Sequence, residues 1–372
     1  MQLADHFLAI VVTFPVEAPK GTPGALPVPA GWRAIPAADE ALFRAHLQQK
    51  YYPHFLRSMH PGASDTAQRK TIEPAAKDPG LVAGVGVSIQ CAELRSFTSG
   101  VGMATIFLRM EGQEMTLAQL DNVAGLLREP STVIDQAGGK RSLHDLVTGL
   151  VAGSGVDGAA LLAHGPNFKV FVNGVLELQE LEDPHWDQHL FELATGLPQG
   201  GMQESYAPTE SYMRQQIDGH GVKLFRNWRA LALFDTFTRL AIRSEDQHKT
   251  WERDYLCIFQ YVLMLRAQAL ELSARLGRTA LNDISLLDLR DQWLAFRNEV
   301  DTAFVSYKWL PNELFAKMMA GTNTLHEITR ADERLERMVQ RFRERRARNL
   351  TRVGLVLLGL ILVLLFAFSD LF

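Results

Sequence analysis

VGLVLLGLILVLLFAF, residues Val353–Phe368, runs for sixteen residues without a charge, and seven of them are leucine. As a helix rising about 1.5 Å per residue it is roughly 24 Å long, short of a hydrocarbon core of about 30 Å. Continuing it to Phe372 makes twenty residues and closes the gap, with Ser369 and Asp370 near the far headgroups. A helix that is apolar on every face would need protein around its whole circumference to be a core helix, so this segment is expected to cross a membrane once.

The residues before the span set its orientation. Arg341, Arg343, Arg345, Arg346, Arg348 and Arg352 crowd the near side, opposed only by Glu344. Clustered arginine marks the cytoplasmic end of a span and can bind anionic headgroups. The expected partner is therefore a lipid bilayer with anionic headgroups, and the expected location is the cytoplasmic face of a bacterial inner membrane. Met1–Val12 carries no Lys or Arg and includes Asp5, so it does not read as a secretory signal. Its apolar run, Phe7–Val12, reads as a buried opening strand, and the chain reads as tail-anchored.

The composition suits a folded domain. The chain has 372 residues, 47 % hydrophobic and 22 % charged, which argues against wholesale disorder. A net charge of −4 gives no reason to expect a nucleic-acid partner. Cys91 and Cys257 are the only cysteines, too few for a disulfide framework or a four-ligand zinc site.

Fifteen of the sixteen prolines and twenty-two of the 28 glycines lie at or before Pro208. Proline and glycine punctuate short elements, so the grammar changes there from turn-rich to long-helix. The expected organisation is an α+β cytoplasmic domain over residues 1–208, a helical bundle region over 209–320, a basic stalk helix over 321–352 and a transmembrane anchor over 353–372. In the first part, Phe7–Val16, Val82–Cys91, Met103–Met110 and Phe168–Leu178 are expected strands, with Gly100 and Gly102 turning between two of them. Ala37–Met59 and Thr116–Arg128 are expected helices, the second capped by Thr116. Strand pairs followed by helices predict a sheet covered on one face.

In the second part Trp251, Tyr255, Ile258, Val262, Leu265, Ala269 and Leu272 alternate steps of four and three and predict one buried helical face. Phe225–Ile242 and Leu286–Val300 are further expected helices. The last helix is expected to start near Thr324 and run into the membrane. Along it Ile328, Leu335 and Phe342 fall seven apart, with Ala331 and Met338 between them. Two readings of this seam stand: a self-associating stalk that makes a homo-oligomer, or packing on the chain's own bundle.

Chemical motifs are sparse. Gly153-Ser154-Gly155-Val156-Asp157-Gly158 fits G-x-G-x-x-G, but Leu143–Val151 before it reads as well as helix as strand, and a plain loop is the better account. His185 and His189 are four apart among Glu180, Asp183, Asp187 and Glu192, without a third ligand fixed by spacing. Neither G-x-S-x-G nor G-x-x-x-x-G-K-[ST] occurs. No metal, cofactor or catalytic residue is assigned.

The layout, a cytoplasmic α/β domain followed by a helical region and a long helix entering the membrane, resembles that of CorA-type divalent-cation transporters. Arg95–Met110, RSFTSGVGMATIFLRM, is similar in style to a strand–turn–strand of their cytoplasmic domains. The resemblance implies a shared scaffold and a tendency to self-associate. That family has two spans and a Gly-Met-Asn signature, whereas here there is one span, and Gly321-Thr322-Asn323 follows no apolar helix. No filter residue is carried over. The leading reading is a non-enzymatic, single-pass protein with a cytosolic binding or scaffolding domain. Its rivals are a CorA-like ion-transporting assembly and a membrane-anchored enzyme.

Overall fold

The computed structural model describes residues 1–16, 33–34, 46–59, 70–72, 80–97, 100–112, 114–136, 139–152, 156–178, 183–242, 250–277, 283–300 and 304–369. Strand β1 (Leu3–Pro15) lies inside the sheet, paired antiparallel to β6 (Val101–Glu111) on one side and to β9 (Lys169–Leu176) on the other. Its run Phe7–Val12 is buried throughout. Phe7, Ala9 and Val11 enter one hydrophobic core, and Leu8, Ile10 and Val12 enter a second on the opposite face. The sheet is thus covered on both faces, not on one as the strand–helix order suggested. The physical reason lies in β1 itself: a half-solvated strand alternates apolar with polar, and an unbroken apolar run serves two cores.

From β6 the sheet continues through β5 (Val85–Ser96), β4 (Gly80–Val82), β7 (Val133–Gln136) and β8 (Gly139–Ser142). The short β3 (Lys70–Ile72) also pairs with β5, and β2 (Arg33–Ala34) pairs with β3. From β9 it continues through β12 (Thr236–Ile242), β11 (Trp228–Leu233) and β10 (Gly221–Val222). Among the described strand pairs only β9 and β12 are parallel. Gly100 turns between β5 and β6 with φ 83°. Gly102 is needed for another reason, because a Cβ there would lie 2.1 Å from the Phe14 ring.

Phe225–Ile242 is not a helix. It contains the β11–β12 hairpin, which carries Phe234 at φ 41° in its turn. The turn lacks the Asn-Gly or Gly-Gly pair that announces a tight hairpin. It is held instead by a distant partner, the Phe234 N–H donating to the Gly321 carbonyl at 2.8 Å.

One face carries α2 (Leu117–Leu126), α3 (Leu143–Val151), α4 (Asp183–Thr195) and α5 (Glu210–His220). Thr116 caps α2, as the sequence suggested, and the structure adds a reciprocal bond from Gln119 that completes a capping box. The other face carries α1 (Pro53–Met59), a π-helical turn Trp251–Tyr255 leading into α6 (Leu256–Gly277), α7 (Asp283–Val300), α8 (Trp309–Gly321) and the first part of α9 (Thr324–Ser369). All seven residues of the 4-3 pattern from Trp251 to Leu272 are buried. Of the helix expected over Ala37–Met59, residues 37–45 lie outside the described residues. Pro53 opens α1, where a missing N–H costs nothing.

Helix α9 joins the domain to the apolar segment without a break. Ile328, Ala331, Leu335 and Val339 are buried in the core shared with α6, and Met338 and Phe342 pack against it half-buried. The seam therefore faces the chain's own bundle, and Ile328 and Leu335 present little surface to a second copy. Arg334 Nη1 donates to the Ser273 carbonyl at 3.1 Å, and Glu327 acts electrostatically on Arg266. The Arg334–Ser273 hydrogen bond lies seven residues further along both helices than the Glu327–Arg266 attraction, so α6 and α9 run parallel. Leu335→Asp should place a charge in this packing and lower the melting midpoint by several degrees. Leu325→Asp on the exposed side of the same helix should leave the midpoint within about a degree. An unchanged midpoint for Leu335→Asp with loss of crosslinking between copies would assign the seam to self-association instead.

Candidate functional site

The residues expected at a membrane surface are ordered along one rod. The apolar segment of α9 is exposed at every described position from Val353 to Leu364, and the helix is long and apolar enough to cross a membrane. Val339 is the last residue of α9 buried in the domain, fourteen residues before Val353. At about 1.5 Å per residue the helix crosses a gap of roughly 21 Å between them. Arg341, Arg343, Arg345, Arg346, Arg348 and Arg352 all lie in this gap and all are exposed. Among the described residues Arg348 pairs with Glu344 at 3.7 Å. The collar is a ladder: Arg352 and Arg348 stand within about 8 Å of Val353, and Arg343 and Arg341 about 15–18 Å above it.

The other sequence motifs gather little. Gly153–Gly155 lie outside the described residues, and α3, a helix and not a strand, precedes them, so the strand–loop–helix context of a dinucleotide site is missing. His185 and His189 do share a face of α4, their rings stacked 6.4 Å apart. His189 Nδ1 lies 3.4 Å from Glu192 Oε2. Glu192 is otherwise engaged within the fold, Oε1 accepting from Gln188 Nε2 at 2.9 Å and from the Gly200 N–H at 3.0 Å. Among the described residues no group of three His, Cys, Asp or Glu side chains could hold a metal.

Three polar groupings inside the domain had no sequence motif. At the inter-helix contact of α2 and α4, where Gly125 and Gly196 meet backbone to backbone, Asp121 is buried and neither carboxylate oxygen has a hydrogen-bond partner. Burial pushes its pKa up to about 8, and the Glu192 carboxylate adds to the rise. At one end of the sheet Lys169 and Asn167 both bond Asp235, and Asn167 Nδ2 donates at 3.1 Å. Nearby, His164 Nδ1 meets Thr13 Oγ1 at 3.1 Å, and burial pulls that histidine down to about 4.

The third grouping is under the π-helical turn. Arg239 of β12 is 2 % exposed. Its Nη1 donates to Asn173 Oδ1 of β9 at 2.7 Å, and the guanidinium lies over Trp251 at 4.6 Å and Trp228 at 5.8 Å. Among the described residues no carboxylate pairs with it. Removing an ion from water costs several kcal/mol, and a desolvated cation–π contact returns about 2. Burial pulls the Arg239 pKa down to about 9, with Tyr255 opposing. The sequence signal for this site was slight: one arginine inside the otherwise uncharged run Thr236–Ile242, and one asparagine inside β9.

Compared with protein-family models, with curated proteins and with solved structures, the chain matches none, so the likeness in layout to CorA-type transporters gains no support from comparison.

Asp121 yields a pH prediction. Its carboxyl is protonated in the folded chain up to about pH 8, while an unfolded aspartate ionises near 4. The folded state holds the extra proton, so the stabilisation is full below about pH 4 and is lost as pH rises through about 8. The melting midpoint of the wild type should fall between about pH 6 and 9. Asp121→Asn should flatten that slope and melt several degrees higher at the alkaline end. An identical slope in both proteins would show that Asp121 does not carry it.

Proposed function

We propose that the chain is a single-pass membrane protein that presents its α/β domain to the cytosol at a set height above the bilayer, as a binding or scaffolding module. The observation that supports this reading is the continuity of α9: its first turns are buried in the domain core, and the same helix carries the exposed apolar segment. No loop intervenes in which domain and span could reorient. The six arginines support a cytoplasmic domain by the positive-inside rule. Each arginine near an anionic leaflet adds attraction of about 1 kcal/mol, falling off over a Debye length of about 8 Å. On the helical ladder this favours Arg352, Arg348, Arg346 and Arg345 as headgroup contacts, with Arg343 and Arg341 too high to contribute much.

Deleting residues 353–372 should move the protein to the soluble fraction without lowering its melting midpoint, since the described part of that segment buries nothing in the domain. The released chain should co-sediment with vesicles containing phosphatidylserine at low salt and dissociate at high salt. Arg345, Arg346, Arg348 and Arg352 changed together to Gln should abolish that binding, and the Arg341/Arg343 pair should matter less. Retention of the truncated chain in carbonate-washed membranes would overturn the single-span reading, and a reporter at the N-terminus active only outside the cytoplasm would overturn the orientation.

A further inference from the structure

The Arg239 cage contains more unmet donors than cation–π contact can answer. Arg239 Nε, Asn173 Nδ2 and Trp251 Nε1 are each buried without a hydrogen-bond acceptor. Asn173 and Trp251 are fully buried, and Arg239 nearly so. One of the three belongs to the guanidinium itself and the other two to residues in contact with it: Asn173 is its cross-strand neighbour and bonds it directly, and Trp251 stacks on it. Buried donors in folded proteins are almost always paired, so an unpaired donor of an uncompensated cation with two more on its neighbours makes a site with a demand for acceptor oxygens. Trp251 and Tyr255 are brought over the arginine by the π-helical turn, a local departure from α-helix that recurs at functional sites. Beside the cage, Arg109 spans from Asp5 at 2.9 Å to Glu252 at 3.2 Å and ties the turn to the sheet. Those two carboxylates are engaged by Arg109 and not by Arg239.

We propose that Arg239, Asn173 and Trp251 form a binding site for the oxyanion of a small soluble molecule, a phosphate or carboxylate group, held against the guanidinium beneath the π-helical turn. A planar guanidinium with adjacent N–H donors matches such oxygens in number and geometry. The burial that depresses the Arg239 pKa is relieved when an anion neutralises it. The site lies far from the bilayer, since the parallel course of α6 and α9 carries Trp251 away from the span. The ligand is therefore drawn from the aqueous phase and not from lipid.

The test uses the full chain in detergent micelles and follows the melting midpoint with inorganic phosphate, with acetate, and with chloride at matched ionic strength. Phosphate also strengthens burial in general, and the arginine collar can bind it, so the informative quantity is the difference between variants. The wild type should gain several degrees in phosphate or acetate over chloride, and whichever anion acts identifies the group. Arg239→Gln should lose that gain. Asn173→Asp puts a carboxylate where the amide oxygen already meets Nη1. It should raise the midpoint in chloride alone and remove the response to added anion. This variant keeps the proposal testable if Arg239→Gln does not fold. Equal anion-specific gains in wild type and Asn173→Asp would overturn the site. So would no gain in the wild type, or an Asn173→Asp protein that melts lower and still responds.

Discussion

Everything on one face of the sheet depends on the packing of α9 against α6. Ile328, Ala331, Leu335 and Val339 close a core that already contains the aromatic face of α6, and that core is the one on which the strands β1, β9, β11 and β12 lay their inner side chains. The α8–α9 corner fixes where the packing begins. A Cβ on Gly321 would lie 2.0 Å from the Ala232 carbonyl oxygen, and Asn323 takes φ 61° to turn the chain. The same corner holds the β11–β12 turn through Phe234. Sheet edge, helical layer and the helix that carries the apolar segment are thus tied at one point.

The charges inside the domain are sorted by layer. Asp121 lies among the helices of one face and Arg239 on the other, with the sheet backbone between them, so neither can neutralise the other. Each is a buried ionisable group with an unmet need, but the two needs differ. A carboxyl answers its burial by keeping a proton, which requires no partner. A guanidinium keeps its charge at every ordinary pH and must find electron density elsewhere. In this chain two tryptophan faces supply part of it.

What could be read from the sequence was whatever is encoded locally. The charge-free run, the four-three spacing of α6 and the Thr116 cap each need only neighbours along the chain, and each forms the helical element its pattern predicted. The β11–β12 hairpin was missed because its turn, Phe234-Asp235, is stabilised from the α8–α9 corner and not by its own residues. The double-sided sheet was legible in the run Phe7–Val12 but outweighed by the order of the elements. The Arg239 site was invisible as a motif because its members come from β9, β12 and the π-helical turn, and only the register Arg239↔Asn173 brings them together.

Because core helix and span are one rod, the domain behaves as a lever arm. From Val353 back to Arg334, and from its partner Ser273 back to Trp251, is about forty residues of parallel helix, or roughly 60 Å. A span in a bilayer commonly tilts by about 20° when its length and the hydrocarbon thickness disagree. Over such an arm that tilt would move the Arg239 cage sideways by about 20 Å. With the apolar segment in a bilayer, membrane thickness would be converted into lateral reach, with no break along the described part of α9 to absorb it.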